Sequence, residues 1–236
     1  MSEPIISLHK LHIAFGSKDV IKDLDLDVMP GETLAIIGPS GSGKSTILRV
    51  LIGLLKPSGG QVLVQGQDVT GYTEDQWNEL RKRMGMVFQY SALFDFLTVG
   101  ENVAFGLRQH LHLPEAEIQQ RVRELLQDVG LEQDAAKYPS ELSGGMKKRV
   151  GLARAIAVNP EILLYDEPTA GLDPIRTMSI SRLIRKTQQK RHVTSLLVTH
   201  DMESTFVAAD RIPMLNEGKI IAVGSVDEMK NSSNPV

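Results

Sequence analysis

Two short stretches of the chain contain residues that could bind phosphate. "GPSGSGKST", at Gly38–Thr46, fits the pattern G-x-x-x-x-G-K-[ST], with Lys44 and Ser45 at its last two positions. Glycines allow backbone N–H groups to approach phosphate oxygens, lysine supplies a cation, and a serine hydroxyl can ligate Mg²⁺. "LSGGM", at Leu142–Met146, places a serine and two glycines before a helical pattern but contains no lysine. Such a helix start also favours an anion.

The first stretch lies in the context that its motif requires. An apolar strand pattern, "TLAII", precedes it, and a helical pattern, "STILRVLIGLL", follows it. The sequence therefore predicts nucleotide binding here. The residues expected to bind the nucleotide are Gly38, Pro39, Ser40, Gly41, Ser42, Gly43, Lys44, Ser45 and Thr46.

Further polar residues stand at the ends of apolar runs. "ILLYDE" ends in Asp166 and Glu167, which could meet Mg²⁺ through a water and act as a general base, respectively. Without a phosphate-binding loop, such a pair would more often begin a solvated loop. Gln89, His200 and Phe15 also fall at element boundaries, where strands deliver residues to a ligand. Taken singly, they equally fit an exposed loop residue, a strand-end histidine and a core aromatic.

The elements that must position these residues can be predicted from hydrophobic patterns. "TLAIIG", "GMVFQ", "EILLYDE" and "TSLLVTH" are continuous apolar runs, typical of parallel strands buried on both faces. "DLDLDV" alternates acidic and apolar residues, so it predicts a half-buried strand, with "IISLHKLHIAF" and "GGQVLVQGQDV" as antiparallel neighbours.

Helical patterns separate the apolar runs. One helix is expected from the glycine loop to about Lys56, and another after Asp173, an N-cap that precedes a proline. "PEAEIQQRVRELLQDVG" predicts a third helix that stops at Gly130.

Composition excludes several classes of function. The 236 residues are 42% hydrophobic and 23% charged, with a net charge of −3, so no basic excess suggests nucleic-acid binding. The absence of cysteine excludes disulfides and thiolate metal sites. "MSEPIISLHK" does not have the pattern of a signal peptide, and no apolar run approaches the roughly 20 residues of a membrane span. Any membrane role is therefore expected to come through a partner chain. The final "KNSSNPV" predicts a disordered tail.

Four stretches and three single residues resemble features of the ATP-binding subunit of ABC transporters. "GPSGSGKST" resembles the Walker A motif of that family, "ILLYDEP" its Walker B motif with the catalytic glutamate, and "AGLD" its D-loop. Gln89 matches the Q-loop glutamine and His200 the switch histidine. Phe15 matches the aromatic that stacks on adenine, which is usually tyrosine. "LSGG" is the signature of the family.

The resemblance implies an α/β fold: a P-loop NTPase of the ABC ATPase type. Its sheet would be mostly parallel, with an N-terminal antiparallel β subdomain and an inserted helical subdomain that carries the signature. We expect one ABC ATP-binding domain over 1–236. The ATP-binding core with the β subdomain would cover 1–89 and 160–230, and the helical subdomain 90–159.

The resemblance also implies ATP hydrolysis with ATP and Mg²⁺. The implied catalytic residues are Lys44, Gln89, Glu167 and His200, and the implied metal ligands are Ser45, Gln89 and Asp166. Two subunits of this family face each other head to tail. Ser143, Gly144 and Gly145 of one chain would thus contact the γ-phosphate bound by the other, so a second copy is an expected partner.

Within the family, "ELSGGM", "RKRMGMVFQYSALFDFLTVGENVAF" and "YDEPTAGLDPI" resemble the ATPase subunit of the Mla (maintenance of lipid asymmetry) phospholipid transporters. Met146 stands where the family usually has glutamine. This resemblance implies a permease, an MCE-domain protein, in some systems a small STAS-domain protein, and a place at the cytoplasmic face of the inner membrane. The alternatives are a nutrient importer ATPase, for amino acids for example, and a soluble ABC-type ATPase without a membrane partner.

Two segments allow two interpretations each. "YSALFDFLTV", after Gln89, lies where the family docks its permease, although it could equally be ordinary core. "MKKR", at Met146–Arg149, could contact lipid headgroups, but with three charges we expect a solvated helix face.

Overall fold

The computed structural model describes residues 3–231, which form two sheets and eight α-helices. The strands are β1 (Ile6–Phe15), β2 (Lys18–Val28), β3 (Thr33–Ile37), β4 (Gly59–Val64), β5 (Gln67–Asp68), β6 (Met84–Val87), β7 (Ile162–Asp166), β8 (Thr194–Thr199), β9 (Arg211–Asn216) and β10 (Lys219–Ser225). The helices are α1 (Lys44–Leu51), α2 (Glu74–Arg81), α3 (Val99–His110), α4 (Glu115–Asp128), α5 (Gly144–Ile156), α6 (Pro174–Arg191), α7 (Met202–Ala208) and α8 (Val226–Lys230).

The two sheets differ in strand direction. The first has the order β2-β1-β4-β5, and all of its strand pairs are antiparallel. The second has the order β10-β9-β3-β8-β7-β6 and is parallel except for the pairing of β9 with β10. The predicted α/β fold, with a mostly parallel sheet and an N-terminal antiparallel sheet, is confirmed.

Alternation along the strands explains how the parallel sheet is buried on both faces. Leu34 and Ile36 of β3 pack in one core cluster with α1 and the antiparallel sheet. Ala35 and Ile37 of the same strand pack in a second cluster, which contains residues of α3 to α6. Successive side chains of a strand point to opposite faces, so one strand contributes to both cores. This double burial is the reason that the parallel strands read as continuous apolar runs.

The acidic and apolar alternation in β2 has the predicted outcome. Leu24, Leu26 and Val28 are buried, whereas Asp25 and Asp27 are exposed. One face of the antiparallel sheet therefore lies against the core and the other faces water.

The first helix is shorter than the sequence predicts, since α1 ends at Leu51 rather than near Lys56. The reason is Gly53, which adopts a φ of 71° and lies against the ring of Trp77. A Cβ at this position would lie 2.3 Å from that ring. Packing of the α2 tryptophan thus requires a glycine turn where the apolar pattern alone would continue the helix.

The segment between β6 and β7 is mostly helical. It contains α3, α4 and α5, whose apolar residues belong to the same cluster as one face of the parallel sheet. Gly130 has a φ of 70° just after α4, in agreement with the predicted stop. In residues 3–231, no helix is both long enough and apolar enough to cross a membrane. The expectation of a disordered tail falls largely on residues 232–236, which lie outside the described residues.

Candidate nucleotide-binding site

The glycine-rich loop connects β3 to α1 at the carboxyl ends of the parallel strands. Gly41 and Gly43 have φ values of 81° and 104°, which L side chains rarely adopt. Gly38 lies so close to β9 that a Cβ would be 2.1 Å from the carbonyl oxygen of Leu215. The loop can follow this path because its glycines carry no side chain.

Lys44 is the first residue of α1, and its side chain is buried beneath the loop. Its Nζ donates hydrogen bonds to the carbonyl oxygens of Gly38, at 2.7 Å, and Pro39, at 3.0 Å. Burial lowers the pKa of Lys44, while the carboxylates of Glu167 and Asp166 act in the opposite direction. An ammonium group has three donors, so one is left for a further acceptor in the cleft.

Ser45 and Asp166 lie together at the ends of α1 and β7. The Ser45 hydroxyl donates a 2.7 Å hydrogen bond to Oδ1 of Asp166. A hydroxyl and a carboxylate in contact provide two oxygen ligands of the kind that Mg²⁺ prefers.

Glu167 follows β7 in a strained backbone conformation, with a φ of 45°. Its Oε2 accepts a 3.1 Å hydrogen bond from the hydroxyl of Thr199 and lies 3.0 Å from Nδ1 of His200. Its Oε1 lies 3.8 Å from Nζ of Lys44. Two neighbours therefore fix the position of Oε2.

The cleft above the loop has a volume of about 290 Å³. The residues that line it are Val20, Ser40, Gly41, Gly43, Lys44, Ser45, Thr46, Gln89, Glu167 and His200. The buried hydroxyl of Ser42 has no hydrogen-bond partner within residues 3–231. An unpaired buried hydroxyl is costly, so a loop of this geometry fits a ligand that supplies acceptors.

Parallel strand order explains why these distant residues meet. β3, β8, β7 and β6 are neighbours, and their carboxyl ends lie at one edge of the sheet. The loop, His200, Glu167 and Gln89 each follow one of these ends. The structure therefore brings together the loop, the acidic pair, Gln89 and His200, which the sequence places at strand ends.

Among the predicted residues of this chain's own site, Gly38, Pro39 and Ser42 belong to the loop and Asp166 contacts Ser45, but none of these four lines the cleft. Phe15 does not line the cleft either. It ends β1 opposite Lys18, and 52% of its surface is exposed. The interpretation of Phe15 as a core residue is therefore wrong. Val20, on the next strand, does line the cleft, so β2 brings the antiparallel sheet to the edge of the loop.

The signature residues lie at a second cleft. Ser143 is the N-cap of α5, and its hydroxyl accepts a 3.4 Å hydrogen bond from the backbone N–H of Met146. Gly144 is exposed and Gly145 is buried. Ser143, Gly145, Arg149 and Arg176 line a cleft that shares no residue with the lining of the first. Within this chain, the structure does not bring the signature to the phosphate loop.

Two side chains that contact residues of the first cleft were not predicted from the sequence. Thr199 is buried and orients Glu167, and its place just before His200 at a strand end was an available signal. Lys148 belongs to the basic run expected to be a solvated helix face, and that expectation is wrong. Lys148 is only 6% exposed and points into the protein, while Lys147 and Arg149 are half-buried.

A glycine loop between a parallel strand and a helix, with an acidic pair after the neighbouring strand, defines a P-loop NTPase. Comparison with protein families matches residues 21–170 to the ABC transporter family. The chain belongs to this family, and it is an ATP-binding, ATP-hydrolysing subunit.

Individual relatives agree with this assignment. The intermembrane phospholipid transport system ATP-binding protein MlaF of Haemophilus influenzae is 41% identical over 99% of this chain and 89% of its own length. The methionine import ATP-binding protein MetN of Xanthomonas campestris pv. campestris is 45% identical over 94% of this chain and 66% of its own length. Among solved structures, the dimeric ATP-binding cassette MJ0796 bound to ADP and Pi is similar, with a TM-score of 0.85. It is 32% identical, and the match covers 94% of this chain and 98% of that one.

Proposed function

We propose that this ABC transporter ATPase energises phospholipid transport between the membranes of the bacterial envelope. The observation that carries the proposal is the similarity to MlaF, which extends over 99% of the chain. The stretch "ELSGGM", with Met146 in place of the usual glutamine, supports the same subfamily. The partners would be a permease, an MCE-domain protein and, as a further member, a small STAS-domain protein.

Import of a small nutrient is the second candidate. It is favoured by the 45% identity to a methionine import ATP-binding protein, which is as strong a relation as that to MlaF. The two candidates differ in the extracytoplasmic partner: an MCE-domain protein for phospholipid transport, and a solute-binding protein for import.

Copurification from the native membrane distinguishes the candidates. The full chain, carrying an affinity tag, is extracted in detergent and its partners are identified by mass spectrometry. We expect a permease together with an MCE-domain protein. A permease with a solute-binding protein would support import and contradict the phospholipid proposal.

The permease would dock on an exposed aromatic groove that follows Gln89. Phe88, Phe94 and Phe105 line this groove. The ring centroids of Phe94 and Phe105 lie 4.7 Å apart with the rings tilted by 46°, and the Arg154 guanidinium lies 5.8 Å from the centroid of the Phe94 ring. Phe96 is 77% exposed beside them. An apolar aromatic surface of this kind suits an amphipathic partner segment.

Substitution in the groove tests this surface. Phe96→Asp should abolish copurification of the permease while leaving the chain folded, because Phe96 is mostly outside the core. Ile221→Asp, on the edge strand β10, is a matched control that introduces the same charge at another exposed apolar residue. Equal recovery of the permease with Phe96→Asp and with the parent chain would contradict the docking surface. This docking would hold the chain at the cytoplasmic face of the inner membrane.

The residues of the first cleft would divide the work of hydrolysis. The loop N–H groups and the third donor of Lys44 would bind the β- and γ-phosphates. Oε1 of Glu167 would take the proton of the attacking water, with Thr199 and His200 holding Oε2.

Ser45 and Asp166 fit a Mg²⁺ ion. Within residues 3–231, no group of three or more His, Cys, Asp or Glu residues could form a full protein cage for a metal. Mg²⁺ suits such a sparse site, because it is commonly bound through one or two carboxylates, substrate phosphates and waters. When bound, it would neutralise charge on the phosphate oxygens. Gln89, in the lining of the same cleft, would be a further oxygen ligand.

The second cleft would serve the nucleotide of a second copy. Ser143, Gly144 and Gly145 would offer a hydroxyl and backbone N–H groups at the positive end of α5. Support comes from the separation of the two clefts within one chain and from the dimeric state of the cassette MJ0796.

A further inference from the structure

Lys148 is a buried lysine that lines neither cleft. It lies in the second turn of α5, the signature helix, and only 6% of it is exposed. Burial lowers the pKa of Lys148, with the charges of Glu167 and Asp166 acting against this effect. Placing a lysine in such a position is costly unless its donors are used.

The ammonium group of Lys148 joins two residues of the first cleft. It donates a hydrogen bond to the carbonyl oxygen of Gln89 and lies 3.4 Å from the carbonyl oxygen of Glu167. Both acceptors are main-chain atoms. The contact therefore fixes the backbone from which the Gln89 and Glu167 side chains extend toward the cleft.

The position of Glu167 makes this contact important. Its φ of 45° is unfavourable for a residue with a side chain, so the conformation must be held by its surroundings. Its N–H donates to Val198, and its carbonyl is the group that Lys148 approaches. Without the ammonium group of Lys148, the carbonyl oxygen of Glu167 would lose this contact, and the strained backbone of Glu167 would be held less firmly.

A second contact holds the segment after β6, which contains Gln89, to α5. Arg154 donates hydrogen bonds to the carbonyl oxygens of Ser91, at 2.9 Å, and Ala92, at 2.6 Å. These two residues also have positive φ values, of 62° and 46°. Because Arg154 holds Ser91 and Ala92, loss of Lys148 should release Gln89 without detaching the rest of this segment.

We propose that Lys148 is a positioning residue, which holds Gln89 and Glu167 in place for hydrolysis in the nucleotide site of its own chain. The inference rests on the proposed roles of Gln89 and Glu167. It assigns α5 two tasks: its first residues serve the partner's nucleotide, and Lys148 serves the chain's own.

The first test compares Lys148→Met with Lys147→Met in the full chain. Both remove one positive charge from adjacent positions of α5, but Lys147 is only half-buried. Lys148→Met should lower kcat for ATP by roughly 10- to 100-fold, the usual effect of losing a residue that orients a ligand. The ATP affinity in an equilibrium titration should stay within about twofold, by the separation of ground-state from transition-state effects. Lys147→Met should change neither quantity.

Lys148→Gln separates hydrogen bonding from packing. Its amide keeps two donors at a slightly shorter reach than the lysine, whereas methionine cannot donate. The glutamine variant should therefore keep a higher kcat than the methionine variant. Equal kcat values for the two variants would overturn the proposal, and so would a loss of ATP affinity that parallels the loss of kcat.

A mixed dimer tests whether Lys148 acts on its own chain. Chains with Lys44→Ala and chains with Ser143→Arg are mixed, so that the one intact site takes Lys44 from the Ser143→Arg chain. Adding Lys148→Met to the Ser143→Arg chain should remove the recovered activity. Adding it to the Lys44→Ala chain should leave that activity unchanged. Equal losses would show a general structural role and overturn the proposal.

The shared-site arrangement and the role of Lys148 are tested by separate measurements. The shared-site arrangement of the proposed function fails if Ser143→Arg leaves the ATP-dependent dimer of Glu167→Gln fully formed. The role of Lys148 is then decided by kcat and ATP affinity in the single variants, which need no mixed dimer.

Discussion

Helices α1 and α5 both have glycine at their N-terminal positions, yet these two helix starts are built differently. At α1 the N-cap is Gly43, with a φ of 104°, and the first helical residue is the buried Lys44. At α5 the N-cap is Ser143, with an extended backbone, and the first helical residue is the exposed Gly144. The first start has its own cation and the second does not. The first start therefore offers a phosphate both N–H groups and a cation, whereas the second offers N–H groups and a hydroxyl.

Acidic residues show what the two starts have in common. Five helices within residues 3–231 carry Asp or Glu in the first turn, where it stabilises the positive end of the helix. α6 has none in its first turn, but the carboxylate of Asp173 caps it. α1 and α5 have neither a first-turn acid nor an acidic cap. Both leave their positive end free for an anion from outside the helix.

Glu167→Gln should stop the chemistry at α1 without disturbing either helix start. Glutamine keeps the shape of the side chain but cannot take a proton, so ATP turnover should fall by about 10²–10⁴-fold. Phosphate release measures turnover, and an equilibrium titration should show retained ATP binding. Turnover near that of the parent chain would reject Glu167 as the base.

Lys44→Ala removes the feature that distinguishes the two starts. Losing a hydrogen bond to a charged group costs about 1.5–3 kcal/mol, so ATP affinity should weaken by roughly 10- to 150-fold. Lys56→Ala, at an exposed lysine after α1, is the matched control. If ATP affinity were the same in Lys44→Ala and the control, the α1 start would not be the phosphate site.

Gly144→Ala has the smallest expected effect and concerns the α5 start alone. A Cβ at this position would make only an ordinary 3.6 Å contact with Leu172, so the fold should tolerate it. Alanine should raise the free energy of unfolding by about 0.4–1 kcal/mol, since it restricts the unfolded chain. The added methyl group should nevertheless weaken ATP-induced dimerisation, because it stands where the partner's phosphate must approach. A gain in stability with undiminished dimerisation would contradict the role of Gly144.

Much of the fold could be predicted because local patterns agree with the global structure. The parallel strands are continuous apolar runs since both of their faces are buried, and the residues after them meet because parallel strands end at one edge. The end of α1 was not predictable, as it depends on Trp77 packing against Gly53. The burial of Lys148 was not predictable either. A basic run gives no sign that one of its lysines faces two distant carbonyl groups.

We propose that the α5 start of one chain completes the site built on the α1 start of another. The most direct test is ATP-induced dimerisation of Glu167→Gln, with and without Ser143→Arg, measured by light scattering and in the presence of the permease if the lone chain stays monomeric. Ser143→Arg adds a bulky side chain at an exposed position, so single-chain ATP binding should be retained. We expect an ATP-dependent dimer for Glu167→Gln and none for the double variant. A fully formed ATP-dependent dimer in the double variant would contradict the account and leave Ser143 as a helix cap only.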